Sequence, residues 1–308
     1  MNMVEPKHFS GLRGTLALDA PLAKHTSWRA GGGADIVYTP ADRDDLAAFL
    51  RQLPIFEQVT AIGLGSNTLV RDGGVRGAVV LMHNPGGALA VADGLIYAEA
   101  GVACPKLARF AALHGCGEAE FLAGVPGTIG GALAMNAGCY GSETWSYVAR
   151  VEVLARDGNF AVRTPKDYAI GYRSVRRSDG RAMADLFTAA WFRFPTGEQR
   201  GAREKIRELL ARRLATQPLD LPNAGSVFRN PPGDHAARLI ESLGLKGYAI
   251  GGARVSEKHA NFIVNPERRA TAADIETLLL HVQRVVAEKT GVKLEPEVKI
   301  IGELVTKT

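Results

Sequence analysis

The chain is 308 residues long, carries a formal net charge of +5, and is 46% hydrophobic and 22% charged. At about 150 residues per domain this allows two domains, each able to bury a core without disulfides or metals. The composition excludes a disordered or fibrous chain, and the apolar runs fall well short of the ~20 residues that cross a membrane, so no membrane insertion is expected.

Residues 1–20 show weak periodicity and predict partial order. No basic-then-apolar start resembles a signal peptide, so the cytoplasm is the expected compartment. Ile36-Val37-Tyr38 reads as a strand. The helix after it takes Thr39 as N-cap, Pro40 in the first turn and Asp42 at the capping-box position. Leu46, Phe49, Leu50 and Leu53 form its apolar face. Segments 59–63 and 78–82 read as buried strands, and 104–113 as a helix stopped by Gly115. Short strands are predicted at 151–154, 160–163 and 186–194. Turn residues Pro195-Thr196-Gly197 mark the preferred domain boundary, before a charged amphipathic helix over 202–217. The last hundred residues read as an α+β unit. A short helix over 234–243 ends at Gly244. A long helix over 271–290 opens on the capping-box pair Thr271 and Asp274 and ends at Gly291. Segment 292–301 then alternates as a strand.

The mild basic excess suits a phosphorylated small molecule. No dense Lys/Arg run with interleaved aromatics appears, so nucleic acid is not an expected partner. Cys104, Cys116 and Cys139 form no CxxC pair and no His-containing metal signature; reduced thiols and no metal are expected. Glycine is the informative residue. It makes up 35 positions, 17 of them between Ala61 and Gly141, interleaved with Val, Ile, Leu and Ala. That pattern predicts tight turns whose backbone approaches a ligand closely.

Two glycine-rich segments stand out. In Gly63-Leu64-Gly65-Ser66-Asn67, after an apolar strand, backbone N–H groups can line a nest for a pyrophosphate, with Ser66 and Asn67 adding donors. The next residues read as strand and turn rather than helix, so a dinucleotide fingerprint of the GxGxxG kind fits poorly. A plain glycine-rich hairpin is the alternative. In Gly124-Val125-Pro126-Gly127-Thr128-Ile129-Gly130-Gly131, continued by Asn136 and Gly138, Thr128 can cap a short helix over 129–135 facing an anion. A packing turn is the alternative there. Two such segments about sixty residues apart fit one long ligand with a central diphosphate.

These segments resemble the flavin-binding segments of the UDP-N-acetylenolpyruvoylglucosamine reductase family. The resemblance continues through Gly171-Tyr172-Arg173-Ser174, Gln217-Pro218-Leu219, the run from Ala224 to Pro231, Gly244-Leu245-Lys246-Gly247, the run from Val255 to Phe262, and the run from Leu294 to Lys299. It covers roughly 25–302 in family order. It implies an α+β fold of the vanillyl-alcohol-oxidase type, with FAD-binding subdomains at 22–83 and 84–197 and a C-terminal α+β substrate-binding domain at 202–308. It implies non-covalent FAD, held by Gly63, Gly65, Ser66, Asn67, Gly124, Pro126, Gly127, Thr128, Gly130, Gly131, Asn136 and Gly138. It implies hydride transfer from NADPH through FAD to the vinyl group of UDP-N-acetylglucosamine enolpyruvate, in peptidoglycan precursor synthesis. A monomer is expected.

By the same resemblance Arg173, Ser226 and Glu297 match the family's catalytic residues, and Arg229, Asn230, Lys246 and Lys299 are substrate-binding candidates. Hydride added to the terminal vinyl carbon leaves charge on the neighbouring carbon and its carboxylate. Arg173 can hold that charge, Glu297 can share a hydrogen bond with the carboxylate, and Ser226 can protonate the carbon. Each has a bland alternative: a surface arginine, a turn serine, a solvated strand residue. Lys258 and His259 are weaker ligands. The short spacing from Arg173 to the 202–217 helix leaves no room for the tyrosine-bearing loop of the family's longer branch. Arg176, Arg177 and Arg254 depart from the family pattern, and His25 and His83 raise the covalent flavin link found in other relatives of the fold. Two other readings remain at this stage. One is a flavin oxidase of the same fold, against which the Ser226 and Glu297 segments argue. The other is a UDP-sugar-binding protein without catalysis, against which Arg173, Ser226 and Glu297 together argue.

Overall fold

The computed structural model describes residues 9–305; the first eight residues of the weakly periodic 1–20 segment lie outside it. The rest of that segment contains a strand, Thr15–Pro21, that the sequence pattern did not announce. It pairs antiparallel with Gly33–Thr39 at the edge of a four-stranded sheet. Five of its seven residues are exposed and none is buried, which is why no clean alternation marks it. Val75–Leu81 lies parallel between Gly33–Thr39 and Val59–Ile62. It is buried on both faces apart from Arg76, so it reads as a continuous apolar run. Val59–Ile62 is the other edge and buries only Ile62.

Helix α1 (Arg43–Gln52) covers one face, with Leu46, Phe49 and Leu50 against Ile36, Tyr38, Ala78 and Val80. Its start corrects the expected cap. Thr39 stays in the strand, and Asp42 is the N-cap, its carboxylate accepting from Asp45 N at 2.9 Å. The buried Asp45 explains the shift. It accepts from Ala41 N at 2.8 Å, Arg13 N at 2.8 Å and the Tyr38 hydroxyl, so residues 40–42 become the turn between strand and helix.

A second, five-stranded antiparallel sheet runs in the order Phe160–Arg163, Val148–Leu154, Leu186–Phe192, Leu95–Glu99, Leu89–Ala92. Its core also contains α2 (Cys104–Leu113) and α3 (Ile129–Met135). Many of the buried residues are alanines, including Ala98, Ala108, Ala111, Ala132 and Ala190, which lets helix and sheet backbones approach closely. Helix α4 (Gln199–Thr216), expected at the head of the C-terminal domain, places Ala202 and Ile206 in this second core, against α2.

The third unit packs α5 (Ala236–Ser242) and α6 (Ala272–Thr290) over short strands at Ala249–Ile250, Ala253–Val255 and Ile263–Val264. Helix α6 has the expected reciprocal bonds between Thr271 and Asp274, and Gly291 closes it at φ 75°. The expected strand over 292–301 shrinks to Lys299–Ile301, preceded by a single antiparallel bridge between Pro296 and Phe228. This remnant pairs parallel with Thr68–Val70, so the end of the chain returns to the first unit. Trp28, Ala30 and Leu69 in turn belong to the core of the third unit. No helix among the described residues is long and apolar enough to cross a membrane.

Trp28 is fully buried and donates from Nε1 to the Ile263 carbonyl at 2.7 Å, while Asn265 Nδ2 donates to the Trp28 carbonyl at 2.9 Å. Trp28→Phe should keep most of the apolar burial but leave that carbonyl unpaired. The expected cost is about 1–3 kcal/mol, read as a lower denaturant midpoint with an unchanged m-value.

Candidate active site

A cleft of about 400 Å³ lies where the three units meet, lined by the two glycine loops and by Arg173, Arg213, Ser226, Glu297 and Lys299. The first loop, residues 63–67, connects Val59–Ile62 to Thr68–Val70. Gly65 has φ 61°, and a Cβ there would collide with the His25 carbonyl. Ser27 N donates to the Gly65 carbonyl at 3.1 Å, fixing the loop from beneath. The N–H groups of Leu64, Gly65, Ser66 and Asn67 find no acceptor among the described residues. A side chain at Gly63 would strike Thr128 Oγ1, so the two loops touch.

In the second loop Thr128 caps α3, accepting from Gly131 N at 3.4 Å. Pro126, Gly127, Thr128, Gly131 and Gly138 line the cleft. Gly130 and Asn136 lie outside that lining. Gly130 donates to the Ala100 carbonyl at 2.8 Å and lets α3 sit on the second sheet. Asn136 is buried and ends α3 at φ 44°. Its side chain is spent on Glu143 at 2.8 Å, the Gly171 carbonyl at 3.1 Å and Trp145 N at 3.1 Å.

Arg173 sits at the tip of the hairpin Tyr168–Gly171 and Ser174–Arg177, at φ 52°. A non-glycine residue in that region costs about 1–3 kcal/mol, held here by its side-chain contacts. Its Nη2 donates to the Gly138 carbonyl at 2.8 Å and its Nη1 to the Asn136 carbonyl at 3.4 Å. Its Nε lies 2.7 Å from Glu297 Oε1. That contact is an ion pair rather than an aligned hydrogen bond. Glu297 is placed by its own N–H, which donates to the Val227 carbonyl at 2.7 Å, so Glu297 and Ser226 are brought side by side. Buried Asn261 clamps Phe228 from both sides, at 3.0 and 2.8 Å. Ser226 Oγ lines the cleft with no hydrogen-bond partner among the described residues. Burial pushes the Glu297 carboxyl above the usual range, against the opposing pull of Arg173 and then Arg229.

The remaining expected residues divide. Asn67 and Lys299 belong to the cleft: Lys299 N donates to the Asn67 carbonyl at 2.9 Å, and Asn67 Nδ2 donates to the Glu297 carbonyl at 3.2 Å. Arg229 stands behind the cleft, its Nη2 donating to the Arg173 carbonyl at 3.2 Å. Asn230 accepts from Ala236 N at 3.1 Å, and Lys246 pairs with Glu241 at 2.5 Å; neither lines the cleft. Neither His25 nor His83 lines it. The sequence reading missed Arg213 and assigned no site role to Cys139, Gln217 or Phe262. For Arg213 a signal existed. Ala202, Ile206, Leu209 and Arg213 follow a four-three-four spacing, which puts the arginine on the buried face of α4.

A family model for an FAD binding domain matches residues 34–162, and one for the C-terminal domain of UDP-N-acetylenolpyruvoylglucosamine reductase matches residues 217–301. The chain is 55% identical to the UDP-N-acetylenolpyruvoylglucosamine reductase of Nitrosospira multiformis, over 96% of this chain and 90% of that one. It is 52% identical to the enzyme of the same name from Thiobacillus denitrificans, over 95% and 94%. The crystal structure of the UDP-N-acetylenolpyruvylglucosamine reductase from Thermus caldophilus aligns with a TM-score of 0.76 at 31% identity, over 94% of this chain and 99% of that one.

The raised carboxyl of Glu297 has a consequence for stability. Between the unfolded carboxyl pKa of about 4.3 and the higher folded value, the native state binds more protons, so stability falls as pH rises through that window. Above it the penalty is fully present. Glu297→Gln should therefore unfold at higher denaturant than the parent at pH 7 and lose that advantage at pH 4. Equal midpoints at pH 7 would show that the charged carboxylate costs the fold nothing.

Proposed function

The chain belongs to the UDP-N-acetylenolpyruvoylglucosamine reductase family, and we propose that it reduces UDP-N-acetylglucosamine enolpyruvate to UDP-N-acetylmuramate in the cytoplasm, with NADPH as hydride donor and FAD bound non-covalently. By family it is an FAD-binding oxidoreductase. The reaction proposed for it supplies a peptidoglycan precursor. The observation that carries this reading is the Arg173–Glu297 pair, 2.7 Å apart, in one cleft with the unpartnered Ser226 hydroxyl and two glycine loops.

The residues fit the cofactor. Unspent N–H groups at 64–67 suit a pyrophosphate, and glycine at 63 and 65 leaves the backbone bare for close approach. Among the described residues no histidine lines the cleft, which supports a non-covalent flavin. When bound, FAD supplies the hydride that reaches the terminal vinyl carbon of the substrate.

The chain's own residues then act on the charge that appears. Arg173, aimed by the carbonyls of Asn136 and Gly138, holds the substrate carboxylate as it gains aci-carboxylate character. Glu297, with a carboxyl that burial makes easier to protonate, shares a proton with that carboxylate. Ser226 delivers its hydroxyl proton to the neighbouring carbon. A serine is a weak acid, but a carbanionic carbon is a much stronger base. The Asn136 and Gly138 carbonyls keep the guanidinium oriented before the reaction, so little reorganisation is needed during it.

Two measurements test this. The purified protein should carry about one FAD per chain, released into solution by denaturation; flavin that stays with the precipitated polypeptide would refute non-covalent binding. Ser226→Ala should let NADPH bleach the flavin at the normal rate but slow its anaerobic reoxidation by substrate, by about 10²-fold or more. Ser226→Cys should keep more of that rate than alanine. Rapid reoxidation of the alanine variant in stopped-flow absorbance removes the serine from the mechanism.

A further inference from the structure

Arg213 is a cleft residue without an anion. It sits in the last turn of α4, and its Nε donates to Gln217 Oε1 at 2.8 Å. Its two terminal nitrogens find no acceptor among the described residues, and it has no carboxylate partner there. The titratable groups facing it are Cys139 and Tyr140. Burial raises the Cys139 thiol to about 11 and raises the Tyr140 phenol as well, so both are neutral at pH 7. Burial also pushes Arg213 itself down, the mark of a cation that has lost water and gained no partner.

A position at a helix C-terminus does not explain this. The helix dipole favours a cation in the last turn, but exposed Arg212 next to it satisfies that preference in water. What Arg213 has instead is a fixed seat. Helix α4 is tied down through Ala202 and Ile206 in the second core and by the Tyr140 hydroxyl, which donates to the Leu209 carbonyl at 2.9 Å. Gln217 N donates to the Arg213 carbonyl at 2.9 Å, so both ends of the Arg213–Gln217 turn are bonded. The guanidinium fork is therefore held before any ligand arrives.

The charge balance says what it waits for. The cleft lining carries three cations, Arg173, Arg213 and Lys299, and one carboxylate, Glu297, which Arg173 already pairs. Lys299 also lacks an acidic partner among the described residues. Two unpaired positive charges match the two negative charges of a diphosphate diester. A planar fork also suits phosphate oxygens better than a point charge does.

We propose that Arg213 is a ligand-binding residue of this cleft, its guanidinium receiving phosphate oxygens of a bound nucleotide diphosphate. The proposal rests on the reading above that the cleft holds such nucleotides. The diphosphate belongs either to FAD or to the UDP end of the sugar substrate, and separate measurements distinguish them.

The test compares the flavin-loaded protein with Arg213→Gln and Arg213→Lys. FAD affinity is read from flavin fluorescence after removal and re-addition. UDP affinity is read by calorimetry on protein reconstituted with excess FAD. Thermal unfolding accompanies both. Arg213→Gln should weaken one of the two ligands by tenfold or more, with Arg213→Lys between it and the parent. Loss of UDP affinity with FAD retained assigns the substrate diphosphate; loss of FAD with UDP retained assigns the cofactor. Affinities within twofold of the parent for both ligands overturn the proposal. If Arg213→Gln does not fold, Arg213→Lys decides, and unchanged affinity for both ligands in that variant overturns it. If the parent itself binds no UDP, the substrate reading fails separately, and the FAD measurement alone decides the role of Arg213.

Discussion

Everything in the cleft depends on keeping the Arg173 guanidinium and the Glu297 carboxyl together, largely out of water. A largely buried ion pair is expensive to assemble, because both charges give up water and their attraction offsets only part of that cost. The two residues come from distant parts of the chain. Arg173 is carried on a hairpin of the second unit, Glu297 on the segment that leads the chain back to the first. Neither side is held by the pair alone. Arg173 is gripped through two backbone carbonyls, and Glu297 is stitched by its own N–H to Val227. Arg229 joins the two sides, with its backbone on Glu295 at 2.9 Å and its side chain on the Arg173 carbonyl. The positive φ of Arg173 is tolerated because this many contacts over-determine it.

Local chemistry was legible in the sequence; long-range assembly was not. The ends of α2 and α6, the Thr128 cap and the Thr271–Asp274 box all follow from residues within one turn of each other. Asp42 displaced Thr39 as the cap of α1 because Asp45, buried by tertiary contacts, claims the turn before the helix. The Leu89–Ala92 strand escaped notice because it is a largely exposed edge. The site shows the same divide. The glycine loops announce themselves by composition. Arg173, Ser226 and Glu297 were found by family resemblance, since nothing local separates them from a surface arginine, a turn serine and a strand glutamate. Asn136 and Gly130 carry motif glycine-loop chemistry in sequence, but their bonds serve α3 and the second sheet. Arg213 hid among the other arginines of a charged helix, although its spacing from Leu209 and Ile206 placed it on the buried face.

The course of the chain near its end explains why the first glycine loop and the Arg173–Glu297 pair form one unit. Lys299–Ile301 could have ended the third unit on its own short sheet. Instead it adds a parallel strand to Thr68–Val70, directly after the first glycine loop. Asn67 then bonds twice across the junction, through its carbonyl to Lys299 N and through its side chain to the Glu297 carbonyl. A ligand seated on the N–H groups of residues 64–67 therefore rests on a loop whose last residue also fixes the Glu297 backbone. Gly65 is held from the other side by Ser27, next to Trp28, which is anchored in the core of the third unit. Displacing the loop would strain the Trp28–Ile263 bond and the Glu297 placement together. The arrangement makes the position of the first glycine loop and that of the Arg173–Glu297 pair a single mechanical variable, fixed largely by backbone hydrogen bonds.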